Sequence, residues 1–190
     1  IIEFDDIAYK DGCSFDKFAM KGCVYAKIQI SQKQHINVFA THLQASYEVV
    51  TDVDYNIRSN QIKDIHYLMM KHVSNDTAPT FLLGDMNIIN ESSKEYNNMM
   101  ENLKLPNYNV IDTYQTMENK VPTIACGENI FTQDCDKGSP NAIDYVFCFE
   151  SKDNNRIKKY NSSVDKMLVS GYRYTQLSDH NAVECDVDLA

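Results

Sequence analysis

Thr80-Phe81-Leu82-Leu83-Gly84-Asp85-Met86-Asn87 is the stretch on which the reading of this chain turns. Apolar and β-prone residues run into a glycine, and an acid and an amide follow two positions apart. A short apolar run bounded by turn residues reads as a covered β-strand ending at a loop. Gly84 permits a sharp turn there, presenting Asp85 and Asn87 at the strand's C-terminal edge, where open α/β sheets place ligands. A carboxylate oxygen beside a neutral amide suits a hydrated divalent cation and a phosphate oxygen. The same residues also serve as ordinary turn formers. Other stretches have to decide between the two.

Upstream, Cys23-Val24-Tyr25-Ala26-Lys27-Ile28-Gln29-Ile30 alternates with the period of a half-buried strand. A polar turn, Ser31 to Gln34, leads into a second strand, His35 to His42, so the pair predicts an antiparallel hairpin ending in a histidine. Residues 1 to 22 are mixed, and little regular structure is expected before Cys23. From Thr51 to Val73 the period changes: Ile57, Gln61, Ile62, Ile65, Leu68, Met69 and Val73 mark one face of a helix, capped by Thr51 or Asp52. Arg58 and Gln61 lie near its first turns and are read as part of a solvated face.

Downstream, Ser92 and Glu95 have capping-box spacing for a helix with Tyr96, Met99, Met100 and Leu103 as its buried stripe, stopped by Pro106. Asn109 to Tyr114 is a short strand, and residues 117 to 140 read as a long loop of the kind that is usually functional or mobile. Ala142 to Phe149 is a strong strand with Asp144 embedded near its start, a carboxylate that needs a partner. Ser163 to Ser170 is a weaker strand candidate, and Ala182 to Leu189 is a cleanly alternating closing strand just after Ser178-Asp179-His180.

The chain has 190 residues, 43% hydrophobic and 24% charged, which fits one globular domain over 1–190 and argues against bulk disorder. A formal charge of −9 argues against a partner held mainly through a phosphate backbone, so no nucleic acid is expected. No apolar run reaches membrane-spanning length. The first residue is Ile1, so the chain is expected to be a trimmed or partial piece of a longer one, with its compartment left open. The six cysteines show no metal-binding spacing; Cys148 and Cys185 read as buried small hydrophobes, and Cys126 and Cys135 are able to pair in an oxidising compartment. Asn75, Asn90 and Asn161 match glycosylation acceptors that matter only for a secreted protein.

Asp85, Asn87, Asp144, Asp179, His42 and His180 therefore all fall at or near strand ends. Together they supply what phosphodiester hydrolysis needs: metal-binding oxygens, a base, a carboxylate to orient it and a donor for developing charge. In order, Thr41-His42-Leu43-Gln44, Gly84-Asp85-Met86-Asn87, Ile143-Asp144-Tyr145 and Ser178-Asp179-His180 resemble the motifs of the endonuclease/exonuclease/phosphatase superfamily. The extended His42 to Tyr47, and Ser93-Lys94-Glu95-Tyr96 with Met99-Met100, resemble most closely the bacterial-type Mg2+-dependent neutral sphingomyelinases.

That resemblance implies a four-layered, DNase I-like α/β sandwich and hydrolysis of sphingomyelin to ceramide and phosphocholine at a membrane surface. It makes His180 the general base, Asp144 its orienting partner, Asp85 the group that positions water, Asn87 a phosphate or metal contact, and His42 a stabiliser of the transition state. Asp85, Asn87, Asp179 and His180 are the implied Mg2+ ligands. The superfamily's Asn on its first strand and its Glu metal ligand have no matching motif here, which implies that a second chain or a missing segment supplies that half. A nuclease of the same fold and a non-catalytic scaffold are the alternatives. Tyr172 and Tyr174 either touch membrane or simply pack.

Overall fold

The structure, a computed structural model, describes residues 1–46, 51–90, 93–124, 141–173 and 175–190. Its strands are β1 (Glu3–Ala8), β2 (Gly22–Gln29), β3 (His35–His42), β4 (Thr80–Asp85), β5 (Tyr108–Asp112), β6 (Asp144–Ser151), β7 (Ile157–Asp165) and β8 (Ala182–Leu189). Two α-helices, α1 (Asp52–Val73) and α2 (Ser93–Asn102), complete the main elements, with short 3-10 turns at Ser14–Phe18 and Tyr114–Thr116.

Six strands form one sheet in the order β1-β2-β3-β4-β6-β5, and β7 pairs with β8 in a separate two-stranded sheet. β3 and β4 are parallel because α1 carries the chain back between them; the other neighbours are antiparallel. Alternation sorts the side chains. Tyr25, Phe39, Leu82, Tyr145, Phe147 and Phe149 face the helices and pack with Ile62, Ile65, Leu68, Met69, Met99 and Leu103 into the main core. Phe81 and Cys148 face the other way, towards Ile157, Cys185 and Val187 of the β7–β8 ribbon. The two sheets do not close fully. A cleft of about 660 Å³ remains between them, lined by Ile36, Val38, Phe81, Leu83, Val183 and Val187 among others. The described residues thus give three layers, helices, sheet and ribbon, and no outer helices cover the ribbon. No described helix is long and apolar enough to cross a membrane.

The hairpin β2–β3, both helices and strands β4, β5, β6 and β8 lie where the sequence pattern puts them. Thr51 is the cap of α1: it accepts from the Asp54 N–H while the Asp54 side chain reaches back, a complete capping box. The Ser92 cap, the Cys126–Cys135 pair, Tyr47 and Tyr174 lie outside the described residues, while Tyr172 is exposed rather than packed.

Three expectations need correction. Residues 1 to 22 hold a full strand, β1, paired with β2 at the sheet edge. Its inward positions are Asp5, which meets Lys71 Nζ at 2.6 Å and His72 Nε2 at 2.7 Å on α1, and Ile7, which packs on the core; a single inward apolar residue sets no hydrophobic period. The weaker strand is Ile157–Asp165 rather than Ser163 to Ser170; its inward positions include Tyr160, Ser162 and Val164, and a serine breaks the apolar signal. Finally, Arg58 and Gln61 are fully or almost fully buried, not solvated. They sit on the same helical stripe as Ile62 and Ile65, and the stripe is polar in its first turns because its partners there are the Glu95 carboxylate and the backbone of Gln44 and Asp11.

Gly84 also differs from a simple turn residue. It stays within the ladder, paired with Thr41 and Tyr145, at φ +140°. A Cβ there would lie 1.9 Å from the Thr41 carbonyl oxygen, so only glycine allows β3 and β4 to come this close. Gly84→Ala is expected to cost about 1–3 kcal/mol from backbone strain alone, with more from the clash, and chemical denaturation measures it.

Candidate active site at the end of the central sheet

Strand register assembles the site. His42 ends β3 directly beside Asp85 of β4, and Asp85 lies opposite Asp144 at the start of β6. Adjacent strands are about 4.8 Å apart, so three residues distant in sequence become neighbours. Asp144 and Gly84 line the end of the inter-sheet cleft, together with Asn181. His180 enters from the segment before β8 and places Nδ1 2.9 Å from Asp144 Oδ2. The partner that a carboxylate inside an apolar strand requires is this imidazole.

Asp85, Asp144 and His180 offer ligand atoms all within 4.8 Å of one another. His42 Nε2 lies 3.4 Å from Asp85 Oδ2. The other Asp85 oxygen accepts the Asn87 backbone N–H at 2.8 Å, and Asn87 sits at φ +49°, a left-handed conformation that asparagine tolerates. The Asn87 amide donates to the Leu43 carbonyl at 3.0 Å, which fixes the loop after β4 to the end of β3. Asp179 stands apart from the three-residue cluster: it is exposed and accepts from the Ser178 hydroxyl at 3.2 Å. His42 and Asn87 flank the cluster without joining it.

Electrostatics separate the groups. Burial, reinforced by the like charge of Asp144, pushes the Asp85 carboxyl up to about 6. The hydrogen bond to Asp144 raises His180 above the ordinary histidine value, with the carboxylates of Asp144 and Asp85 adding to it. Burial lowers His42, and the Lys21 cation lowers it further. Two carboxylates held together with an imidazole form a donor set able to hold a divalent cation, and such a charge would relieve the repulsion felt by Asp85.

Other residues hold this arrangement without having announced themselves in the sequence. Thr123 is fully buried; its hydroxyl accepts the N–H groups of Ile143 at 3.0 Å and Asp144 at 3.3 Å, and its carbonyl accepts from Asn181 N at 2.8 Å. One threonine therefore anchors both sides of the Asp144–His180 pair. Thr123→Val is expected to leave two N–H groups short of their acceptor, costing about 1–3 kcal/mol of stability in a denaturant titration. Lys21, paired with Asp16 at 2.8 Å, donates to the Leu43 carbonyl at 2.7 Å, and Asp16 accepts from Ala45 N at 2.6 Å. Below them Arg58 binds both oxygens of Glu95, at 2.7 and 3.2 Å, and the Gln44 carbonyl at 2.9 Å. Gln61 Oε1 accepts from Gln44 N at 2.9 Å. The His42-Leu43-Gln44-Ala45-Ser46 motif is thus a strand end bolted to both helices. The helical spacing of Gln61 with Ile62 and Ile65 was the one signal pointing to this.

Comparison with protein-family models finds no match. The chain is 29% identical over 175 residues to sphingomyelinase C 2 of Leptospira interrogans, covering 89% of this chain and 26% of that protein. It is 32% identical over 117 residues to a sphingomyelinase C of Bacillus cereus, covering 57% and 34%. Among solved structures it superposes on SmcL with a TM-score of 0.81 at 22% identity, over 98% of this chain and 65% of that one. It superposes on a beta toxin variant of Staphylococcus aureus with bound magnesium ions with a TM-score of 0.67 at 23% identity, over 97% and 63%. The chain therefore spans about a quarter to a third of these relatives' length and slightly less than two thirds of these solved chains. It has the DNase I-like endonuclease/exonuclease/phosphatase fold, and its sequence relatives include bacterial sphingomyelinases.

Proposed function

We propose that this chain carries the base-bearing half of a Mg2+-dependent phosphodiesterase that hydrolyses sphingomyelin to ceramide and phosphocholine. The observation that carries the reading is the Asp144–His180 pair, 2.9 Å long, joined to Asp85 at the sheet end. A carboxylate at Nδ1 keeps the proton on that nitrogen, which leaves Nε2 free to take a proton from the attacking water. Nε2 cannot do this while it ligates a metal, so His180 acts either as base or as ligand at any one moment. Asp85 orients the water, and Asn87 holds the loop beside the phosphate. His42, kept neutral by burial and by Lys21, offers an N–H to the charge developing on phosphorus-bound oxygen. Asp85, Asp144 and His180 would hold Mg2+ within this chain, with Asn87 and Asp179 as outer contacts. When bound, the cation supplies positive charge to the phosphate oxygens and acts as a Lewis acid.

The remaining Mg2+ ligands, an Asn and a Glu, belong in this reading to another chain or to a segment beyond these residues. On their own the 190 residues should bind metal weakly and turn over little substrate. The substrate reaches the site as a phospholipid headgroup at a membrane surface; the overall charge of −9 disfavours nucleic acid. The test is phosphocholine release from sphingomyelin vesicles by the full protein, with and without Mg2+ and with a DNA substrate in parallel. Mg2+-dependent release supports the reading. DNA cleavage without phosphocholine release would replace it with a nuclease, and no turnover even with the absent half restored would leave a scaffold.

A further inference from the structure

Cys148 and Cys185 face each other between the two sheets. Cys148 is completely buried on β6, and Cys185 on β8 packs against it beside Phe81 and Ile157. Cys185 also lines the inter-sheet cleft, whereas Cys148 does not. Some residues of β6 and β8 have Cα atoms within 8 Å of each other, and the two cysteine side chains interact directly across the sheets, the arrangement from which a disulfide forms. Around the pair lie the hydroxyls of Thr113 and Ser162, both placed to act on the Cys185 sulfur.

The two thiols are not equivalent. Donation from the Cys148 S–H draws the Cys185 thiol down to about 6, while the same coupling and burial push Cys148 far up. Cys185 is therefore the nucleophile of the pair, and it is the one open to the cleft.

We propose that Cys148 and Cys185 form a redox-active dithiol that a small disulfide oxidant converts into a covalent tie between β6 and β8. The Cys185 thiolate attacks the oxidant's S–S bond, releasing one thiolate and forming a mixed disulfide. Cys148 gives its proton to a departing thiolate and attacks the Cys185 sulfur, expelling the second. Two protein thiols and one oxidant disulfide become one protein disulfide and two small thiols. The tie joins the same two elements as the candidate dyad. Asp144 lies four residues before Cys148, on the same face of β6, and His180 lies on the short run into β8. Oxidation would hold His180 against Asp144, and reduction would leave that register to one hydrogen bond. This assignment does not depend on the phosphodiesterase reading.

The experiment incubates the full protein with oxidised glutathione, blocks remaining thiols, digests it and identifies linked peptides by mass spectrometry. Expected are a Cys148–Cys185 linked peptide removed by dithiothreitol, a Tm rise of about 4–16 °C, and slower amide exchange over residues 178–181. Cys185→Ala and Cys148→Ala should each lose the link; Cys185→Ala, the less buried change, should fold and should lose the Tm rise as well. The proposal is overturned if both cysteines remain alkylatable after oxidation. It is equally overturned if the Tm rise and the exchange protection persist in Cys185→Ala.

Discussion

Asp144→Asn is expected to lower phosphocholine release by about 10²–10⁴-fold in kcat, the range lost when a positioned base loses its orienting carboxylate. The Asp144 carboxylate lies 2.9 Å from His180 Nδ1, and in the proposed mechanism it fixes the proton there and stabilises the imidazolium formed in the reaction. An amide of the same shape carries no charge, and it can present its NH2 and favour the wrong tautomer. The pH profile gives a second readout. A general base works in its neutral form, so raising its pKa moves the acid limb of kcat/KM to higher pH. In the wild type His180 is raised, chiefly by Asp144, so the limb is expected above the ordinary histidine value. In Asp144→Asn the limb should move down while the plateau falls. A plateau loss with an unmoved acid limb would mean that Asp144 serves only the metal.

Arg58→Ala is expected to destabilise the protein by about 3–5 kcal/mol, because removing one partner of a buried ion pair strands the other. For a chain of this size that corresponds to a Tm lower by about 6–20 °C. Arg58 has no exposure, and Glu95 very little. The mutation leaves the Glu95 carboxylate without its two nitrogens and removes the donors to the Gln44 carbonyl and the Ser46 hydroxyl at 2.9 and 3.0 Å. The segment after His42 loses its hold on α1 and α2, so activity measured well below the new Tm should fall as well. Arg58→Ala together with Glu95→Ala should recover part of the stability, since no buried charge is then left alone. Calorimetry on the two variants measures both effects.

How far the sequence was readable depended on what each element buries. β2, β3, β4, β6 and β8 bury side chains at alternate positions or on both faces, and that pattern survives in one dimension. β1 was hidden because one of its two inward positions is Asp5, paired with Lys71 and His72, which leaves Ile7 alone as an apolar signal, and β7 was displaced because a serine takes an inward position. Arg58 looked like a surface cation, since burial of a charge becomes visible only when Glu95, far along the chain, is placed against it. In the site, the resemblance named His42, Asp85, Asn87, Asp144, Asp179 and His180. The register shows why His42, Asp85 and Asp144 meet, and it leaves Asp179 outside the cluster. Thr123 was illegible because its role runs through backbone N–H groups on β6 and before β8, a purely three-dimensional coincidence.

The most direct test of the account is phosphocholine release from sphingomyelin by the full protein as Mg2+ is titrated, with His180→Ala measured alongside. The account predicts release that rises with Mg2+ and falls by about 10²–10⁴-fold in the variant, at an unchanged fold by circular dichroism. Release that is independent of Mg2+, or that His180→Ala leaves intact, would contradict it.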